Sequence, residues 1–300
     1  DVLSSLSVII AVHTREGSPI IVPTPAYMPF LEIPGRNGRD CVEVPSVHGT
    51  QDGSPRWMLD LDGVESAMAA GAGLLVLCNP WNRVLTTAEL DAVAALSSVY
   101  GVPVFADEIH APLVLDEHLS HISYASRPGA DPDLTFTATA ASKGWNIPGL
   151  KCAQLIASGR ARTRWDADAR SAHLQAEASV IGAMATIAAL REGREWLSEV
   201  RTYIRANREL VGDVLAGVEG IDVTLPEATY LAWLDCRGLG LERPAHLFRK
   251  EAGVAMNEGV TFGAAWSGFC RLNLATGRNI EEETVRRIGC TARRLSRATP

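Results

Sequence analysis

The sequence lacks any apolar run long enough to cross a membrane as a helix, which takes about 20 residues. It also lacks a basic tract interleaved with aromatic residues, and its formal net charge is −7. These two features argue against a nucleic-acid partner and against binding to an anionic membrane surface. The first residues, beginning at Asp1, have no basic start of the kind that a signal peptide carries.

Cysteine is sparse and scattered, and the sequence contains neither a Cys-x-x-Cys motif nor the Cys/His spacing of a zinc site. We therefore expect reduced thiols in a cytoplasmic protein, with no disulfide framework and no metal site. The six cysteines, mostly embedded in apolar stretches, are Cys41, Cys78, Cys152, Cys236, Cys270 and Cys290.

The length of 300 residues, with 47% hydrophobic and 21% charged residues, allows one large core or two domains. In the first half, short apolar runs alternate with helical patterns. Strands are predicted at residues 20–22, 41–44, 74–78 and 102–106, and helices at 2–12, 60–70 and 86–100. The last of these helices opens with a capping-box pattern at Thr86 and Glu89. This alternation predicts an α/β fold with a mostly parallel sheet.

The second half has a different pattern. Residues 162–217 are rich in helix formers, and we expect a long linking helix near 176–190. Strands are predicted at 223–225, 229–234 and 270–274, and a final helix at 281–295. We therefore predict a large domain over residues 1–165, a linking helix region over 166–190 and a smaller α+β domain over 191–300.

Residues 139–150 surround Lys143 with Ser, Gly, Asn and Pro, which predicts a loop. The apolar runs on either side, 134–138 and 152–157, predict buried strands. We expect Trp145, Ile147 and Leu150 to desolvate the lysine partly. Desolvation disfavours the ammonium and keeps the amine available, as a Schiff-base lysine requires. A solvated loop lysine is the alternative that this stretch alone leaves open.

Polar side chains follow the ends of several predicted strands and should converge at one edge of the sheet: Asn82, Asp107 with His110, and Lys143. Asp107 comes directly after an apolar run, so we expect a partly buried carboxylate; a helix N-cap or a structural ion pair is the alternative. His110 could equally be a core histidine. A metal at Asp107 and His110 is disfavoured because no second matched pair of ligands is present.

Two more residues have competing interpretations at this point. Tyr27 follows the strand at 20–22 and is either a ligand contact or a packing residue. Arg271 is either a ligand-binding guanidinium or a solvated or ion-paired arginine. The sequence around Tyr27 and the sequence around Arg271 do not by themselves decide between these interpretations.

Five motifs occur in an order that resembles the class I/II aminotransferase family of pyridoxal-phosphate (PLP) enzymes, fold type I. Within that family the chain is most similar to the MalY/PatB branch of cystathionine β-lyases, for which Asp-Glu-Ile-His is the marker. The resemblance runs from about residue 19 to the C-terminus. The motifs are Pro23-Thr-Pro-Ala-Tyr27, Asn79-Pro-Trp-Asn82, Asp107-Glu-Ile-His110, residues 142–150 and Arg271-Leu-Asn-Leu-Ala-Thr.

The resemblance implies the fold of the PLP-dependent transferases and pyridoxal 5'-phosphate as the cofactor. Lys143 would form the Schiff base with the cofactor aldehyde and then transfer protons at the substrate. Asp107 would pair with the pyridine nitrogen and keep it protonated. Asn82 and His110 would hydrogen-bond the ring's phenolic oxygen, and Tyr27 would stack on the ring.

The resemblance also implies residues for the two anionic groups. Arg271 would hold the substrate carboxylate in a bidentate pair. Ser142 and Lys151 would reach the cofactor phosphate. A homodimer is implied as well, because active sites in the family lie between subunits.

Three functions are consistent with the resemblance. The first is α,β-elimination from cystathionine or a related cysteine S-conjugate, giving a thiol, pyruvate and ammonia. The second is amino-group transfer between an amino acid and a 2-oxo acid on the same scaffold, since fold and cofactor do not fix the reaction. The third is a non-catalytic regulator that keeps the fold.

The chain departs from the family pattern at several places. The glycine-bearing, phosphate-binding turn that the family carries ahead of the position of Val2 is missing, and Arg83 directly follows Asn82 where a Pro-x-Gly is usual. Either the chain is a truncated product or the printed sequence omits segments of a longer one, and the second interpretation is favoured. Ala140, Gly144 and Gly277 also replace residues that relatives usually carry at these positions.

Overall fold

A six-stranded sheet lies at the centre of the first half of the chain. The structure is a computed structural model and describes residues 1–51 and 54–298. The strand order is β2-β1-β5-β6-β7-β8, parallel except for the antiparallel pair β7–β8. The strands are β1 (Ile20–Thr24), β2 (Cys41–Pro45), β5 (Leu74–Cys78), β6 (Val104–Asp107), β7 (Thr135–Thr139) and β8 (Gln154–Ala157). The predicted α/β class with a mostly parallel sheet is therefore confirmed.

Helices cover both faces of this sheet, which is why its inner strands are almost continuously apolar. On one face, residues of α1 and α2 pack against Ile20, Val22 and Phe105. On the other, residues of α3 and α4 pack against Ile21 and Leu75. The helices are α1 (Val2–His13), α2 (Met28–Arg36), α3 (Leu61–Ala69), α4 (Thr87–Tyr100), α5 (Ala141–Gly144), α6 (Gly159–Asp166) and α7 (Ala169–Ala176).

A four-stranded antiparallel sheet with order β11-β12-β10-β9 lies in the second half, against a core shared with α9, α10 and α11. Its strands are β9 (Asp222–Thr224), β10 (Leu231–Asp235), β11 (Asn257–Glu258) and β12 (Phe269–Asn273). The helices of this half are α8 (Val180–Glu192), α9 (Arg194–Leu215), α10 (Pro244–Ala252) and α11 (Arg278–Ala298). The division into domains at residues 165 and 190 stays a prediction.

Three local features differ from what was predicted from the sequence. Lys143 lies on the one-turn helix α5, not in a loop, and a 3₁₀ turn follows at Pro148–Leu150. The linking helix begins at Val180 rather than near residue 176, because Ser179 caps it by accepting a hydrogen bond from the Gly182 amide. A hairpin of β3 (Val47–Gln51) and β4 (Ser54–Met58) forms in a stretch where no strands were predicted.

The segment after Asn82 joins the two sheets. The Asn82 carbonyl accepts hydrogen bonds from the amides of Glu227 (2.8 Å) and Ala228 (3.2 Å). The Glu227 carboxylate in turn accepts from the Val84 amide and from Arg56. These contacts fix the position of the second sheet over the carboxyl ends of the first. Within the described residues, no helix is both long and apolar enough to span a membrane.

Candidate active site

A cavity of about 470 Å³ lies at the carboxyl ends of the large sheet, where open α/β sheets bind ligands. The second sheet forms its other wall. All of the site residues predicted from the sequence line it: Tyr27, Asn82, Asp107, His110, Ser142, Lys143, Lys151 and Arg271. The structure therefore brings the predicted set together, although the role of each stays a prediction.

Asp107 is the last residue of β6 and is 5% exposed. Burial raises the pKa of its carboxyl to about 7, against the opposing effects of a hydrogen bond from the Ile109 amide and of nearby Lys143. The two structural alternatives, a helix N-cap and an ion pair, do not apply, since Asp107 caps no helix and makes no ion pair among the described residues. A buried carboxylate in this state needs a cation or a donor from a ligand.

Lys143 is half-buried on α5, directly after β7, the neighbour of β6. Burial lowers the pKa of its ammonium, Asp107 raises it, and Arg271 lowers it further. The expected desolvation is therefore present. The three apolar residues expected to cause it do not line the cavity, and Trp145 instead donates its indole N–H to the Gly193 carbonyl, at 2.9 Å.

His110 is neutral in this setting. Burial, with Lys143 and Arg271 nearby, lowers its pKa to about 3. Its Nδ1 is buried without a hydrogen-bond partner, so it is not the satisfied core histidine that was the alternative. No group of three or more metal-ligating side chains occurs among the residues that the structure describes. A ligand atom that can pair with the free ring nitrogen is the remaining explanation.

Arg271 extends from β12 with no carboxylate partner among the described residues. Burial lowers the pKa of its guanidinium, while Tyr230 and Tyr27 raise it. The guanidinium lies 4.3 Å from the centre of the Phe262 ring, and one of its nitrogens donates to Asn257 Oδ1 at 3.3 Å. Its Nε is buried and unpartnered. A partly desolvated, unpaired guanidinium is suited to an anionic ligand.

Two other predicted residues, Tyr27 and Lys151, are exposed. Tyr27 is 44% exposed at the start of α2 and packs edge-on against Phe30, with ring centres 5.9 Å apart. Lys151 adopts a left-handed backbone (φ 51°), and its Nζ lies 3.5 Å from Asp1 Oδ2. Ser142 precedes Lys143 on α5. All three line the cavity.

A buried polar network supports the strand end that carries Asp107. The Glu108 carboxylate accepts hydrogen bonds from the Tyr124 amide (2.8 Å) and the Ser123 hydroxyl (3.0 Å), and His121 Nε2 lies 3.0 Å away. The main-chain amide of Glu108 donates a hydrogen bond to the Ala138 carbonyl on β7. Sequence reasoning missed this network, and the signal was the second acidic residue of the Asp-Glu pair.

Sequence reasoning also missed the aromatic wall of the cavity. Trp233 lies on β10 and Tyr230 immediately precedes that strand, whereas Phe262 ends a 3₁₀ turn and Trp81 lies in a loop. The apolar alternation of residues 229–234 was interpreted as a core strand. The position of this strand opposite the large sheet depends on tertiary packing. No local signal distinguishes such a wall from a core.

The fold and the cleft together define an α/β enzyme in which an amine and a carboxylate share one cavity. The chain belongs to the aminotransferase class I and II family, whose model matches residues 3–288. The family predicted from the motifs is thereby confirmed, and the relatives described next confirm the MalY/PatB-type branch.

Two relatives are similar to this chain in sequence, and a third is similar to it in structure. The chain is 36% identical to the cystathionine beta-lyase of Corynebacterium glutamicum, over 96% of this chain and 75% of that protein. It is 30% identical to the cystathionine beta-lyase PatB of Bacillus subtilis, with 96% and 75% covered. The crystal structure of cystalysin from Treponema denticola, which contains a pyridoxal 5'-phosphate cofactor, matches with a TM-score of 0.86 at 25% identity, covering 98% of this chain and 75% of that one.

Proposed function

We propose that the protein is a PLP-dependent carbon–sulfur β-lyase that cleaves cystathionine or a related cysteine S-conjugate. The observation that carries the proposal is the presence of a half-buried amine, Lys143, and a buried, unpaired carboxylate, Asp107, in one cavity. The names of the relatives above, two of them cystathionine beta-lyases, support the same substrate class.

The free polar atoms of the cavity fit pyridoxal phosphate. Asp107 would hold the pyridine nitrogen, because a protonated ring nitrogen supplies the cation that the buried carboxylate lacks. His110 and Asn82 would hold the phenolic oxygen, and Ser142 and Lys151 the phosphate. Tyr27 would stack on the ring. When bound, the cofactor supplies an electron-withdrawing ring that delocalises the electron pair left at the substrate Cα.

Lys143 is the proposed base. Its lowered pKa favours the neutral amine, which can take the Cα proton and return a proton later. Arg271 would hold the substrate carboxylate and so fix which Cα bond faces Lys143. The Cα–H and Cβ–S bonds break, a thiolate leaves with the electron pair of the Cβ–S bond and takes up a proton to give the thiol, and water converts the remainder to pyruvate and ammonia.

The test is to mix the purified protein with PLP and L-cystathionine and to measure pyruvate without an added 2-oxo acid. We expect pyruvate and free thiol in equal amounts. Conversion of the cofactor to its pyridoxamine form, with pyruvate absent, would instead support amino-group transfer. Lack of a cofactor absorbance band in the purified protein, after incubation with PLP and removal of the unbound cofactor, would favour the non-catalytic alternative.

We further propose a homodimer located in the cytoplasm. An exposed apolar stripe on α8 supports the dimer, since monomers rarely leave such a stripe uncovered; its members are Val180, Ile181, Met184, Ile187 and Leu190. The free cysteines among the described residues support a reducing compartment. Light scattering of the wild type and of Met184→Glu tests the dimer, which the substitution should dissociate; a wild-type monomer would contradict it.

A further inference from the structure

Trp233 and Arg271 are direct partners across the antiparallel pair β10–β12. Residues directly opposite one another project from the same face of a sheet, with Cβ atoms about 5 Å apart. Both residues line the cavity. Their side chains therefore belong to one wall.

Both side chains carry a buried N–H donor that finds no acceptor among the described residues: Trp233 Nε1 and Arg271 Nε. Trp233 is 5% exposed, so its indole N–H is also shielded from solvent. The indole can only donate, and a buried donor without an acceptor costs folding free energy. Two such donors on one wall, one of them on a cation, indicate an acceptor that arrives with a ligand.

Aromatic packing holds both donors in place. Phe262 lies under the guanidinium of Arg271 and also packs edge-on against Trp233, with ring centres 5.5 Å apart. Phe269 stacks on Trp233 at 5.6 Å with an interplanar angle of 18°. The indole is therefore fixed by its neighbours before any ligand binds, and its orientation is not set by a hydrogen bond of its own.

We propose that Trp233 is a second donor in the substrate-carboxylate subsite, giving one hydrogen bond to the carboxylate that Arg271 pairs with. The proposal rests on the proposed function for the identity of the substrate as an amino acid. A carboxylate is the matching ligand because it offers two acceptor oxygens and a negative charge to two donors and one cation. Trp233 would then distinguish amino acids from amines or amides that lack the second anionic oxygen.

Trp266 provides a matched control in the same aromatic cluster. Its Nε1 already donates to Thr24 Oγ1, at 3.1 Å. Replacing either tryptophan by Phe removes one indole N–H and a similar volume. Trp266→Phe removes a bond made within the protein, whereas Trp233→Phe removes a donor that is unused until a ligand binds.

The direct test is the indole ¹H–¹⁵N spectrum of the PLP-loaded protein, in which the seven tryptophans give seven signals. The Trp233 signal is assigned by its loss in Trp233→Phe, or by through-bond assignment of the wild type if that variant does not fold. We expect L-alanine to shift the Trp233 proton downfield and L-alaninamide to shift it much less. No shift of the Trp233 signal with L-alanine overturns the proposal.

Kinetics gives a second readout. We expect Trp233→Phe to raise KM for L-cystathionine about tenfold with kcat nearly unchanged, since a contact kept from ground state to transition state is lost. Trp266→Phe should change the preference for L-alanine over L-alaninamide by less than about twofold. An unchanged KM in a folded Trp233→Phe protein contradicts the proposal. An alanine-induced Trp233 shift without pyruvate from cystathionine would instead refute the lyase and leave the subsite standing.

Discussion

Asp107, at the end of β6, and Lys143, on the helix that follows the adjacent parallel strand β7, line the same cavity, and each shifts the pKa of the other toward the charged form. Burial opposes both effects and is the larger influence on each group. Burial therefore disfavours the charged form of both groups. A cationic ring nitrogen beside Asp107 would relieve the cost of its ionisation.

Asp107→Asn should stabilise the cofactor-free protein at high pH. The pKa of Asp107 is raised from 3.8 to about 7, so between these values the folded state binds more protons than the unfolded state and stability falls as pH rises. The gain for Asn above pH 7 should be on the order of 1–3 kcal/mol, and it should vanish below pH 4. Urea unfolding of both proteins from pH 4 to 9 measures it.

In the PLP-loaded enzyme the same substitution should impair function, although it stabilises the cofactor-free protein. Asp107→Asn should weaken PLP binding and reduce kcat by more than about 100-fold, because the ring nitrogen loses its anionic partner. Equal PLP affinity in the wild type and the variant would show that Asp107 does not meet the ring. Equilibrium dialysis against PLP gives that comparison.

Arg271→Lys should reduce kcat/KM for L-cystathionine about 100-fold, mostly through KM. Lysine keeps the charge but loses the planar pair of donors and the stacking on Phe262. Steady-state kinetics with Arg278→Lys as the control checks this, since Arg278 pairs with Glu282 on α11 and does not line the cavity. Similar losses in both variants would remove Arg271 from the carboxylate subsite.

The buried ion pair of Arg83 and Glu89 should dominate stability near the Asn82 segment. Burial alone would raise the pKa of Glu89, but hydrogen bonds from Arg83 and Thr86 hold it at about 2. Its contribution is present above pH 4.5 and is lost as pH falls toward 2. Glu89→Gln should cost about 3–5 kcal/mol at pH 7 because a buried guanidinium is left unpaired.

Two comparisons make the Glu89 result specific. The double variant Arg83→Met/Glu89→Leu should recover most of the loss, since neither charge then remains buried. Glu283→Gln removes a carboxylate that pairs with Arg286 on the surface, and it should change the free energy of unfolding far less than Glu89→Gln does. Equal losses for the buried and the surface substitution would contradict the assignment.

Glu281, which does not line the cavity, gives a third pH-dependent effect. It is 1% exposed near the start of α11, its Oε1 has no partner among the described residues, and burial raises its pKa to about 7 against the opposing charge of Arg278. Stability should fall as pH rises from 4.5 through 7. Glu281→Gln should remove that slope and gain about 1–3 kcal/mol at pH 8. A difference in unfolding free energy that does not change with pH would contradict it.

Much of the sheet was predictable because its strands are buried on both faces. The run at residues 74–78 was placed correctly, and β6 and β7 lie within two residues of their predicted positions. Helix α2 was not predicted, and it contains two prolines, Pro29 and Pro34, which disfavour a helix interior. Pro29 lies in the first turn, where its missing N–H costs nothing.

The site was predictable to the extent that its residues directly follow strands. Asp107 is the last residue of β6 and Lys143 comes shortly after β7, and both were found from the local sequence. Trp233 was not found, because its importance depends on pairing with Arg271 across β10 and β12. The short helix α5, which contains Lys143, was also missed, since four residues are too few to show a helical period.

The most direct measurement is the absorption spectrum of Lys143→Ala with PLP, recorded beside the pyruvate assay. We expect the wild type to show the red-shifted band of cofactor joined to a lysine amine and to release pyruvate from L-cystathionine. The folded variant should lose both the band and turnover. Survival of either the band or the turnover in Lys143→Ala would contradict the central claim that this amine carries the chemistry.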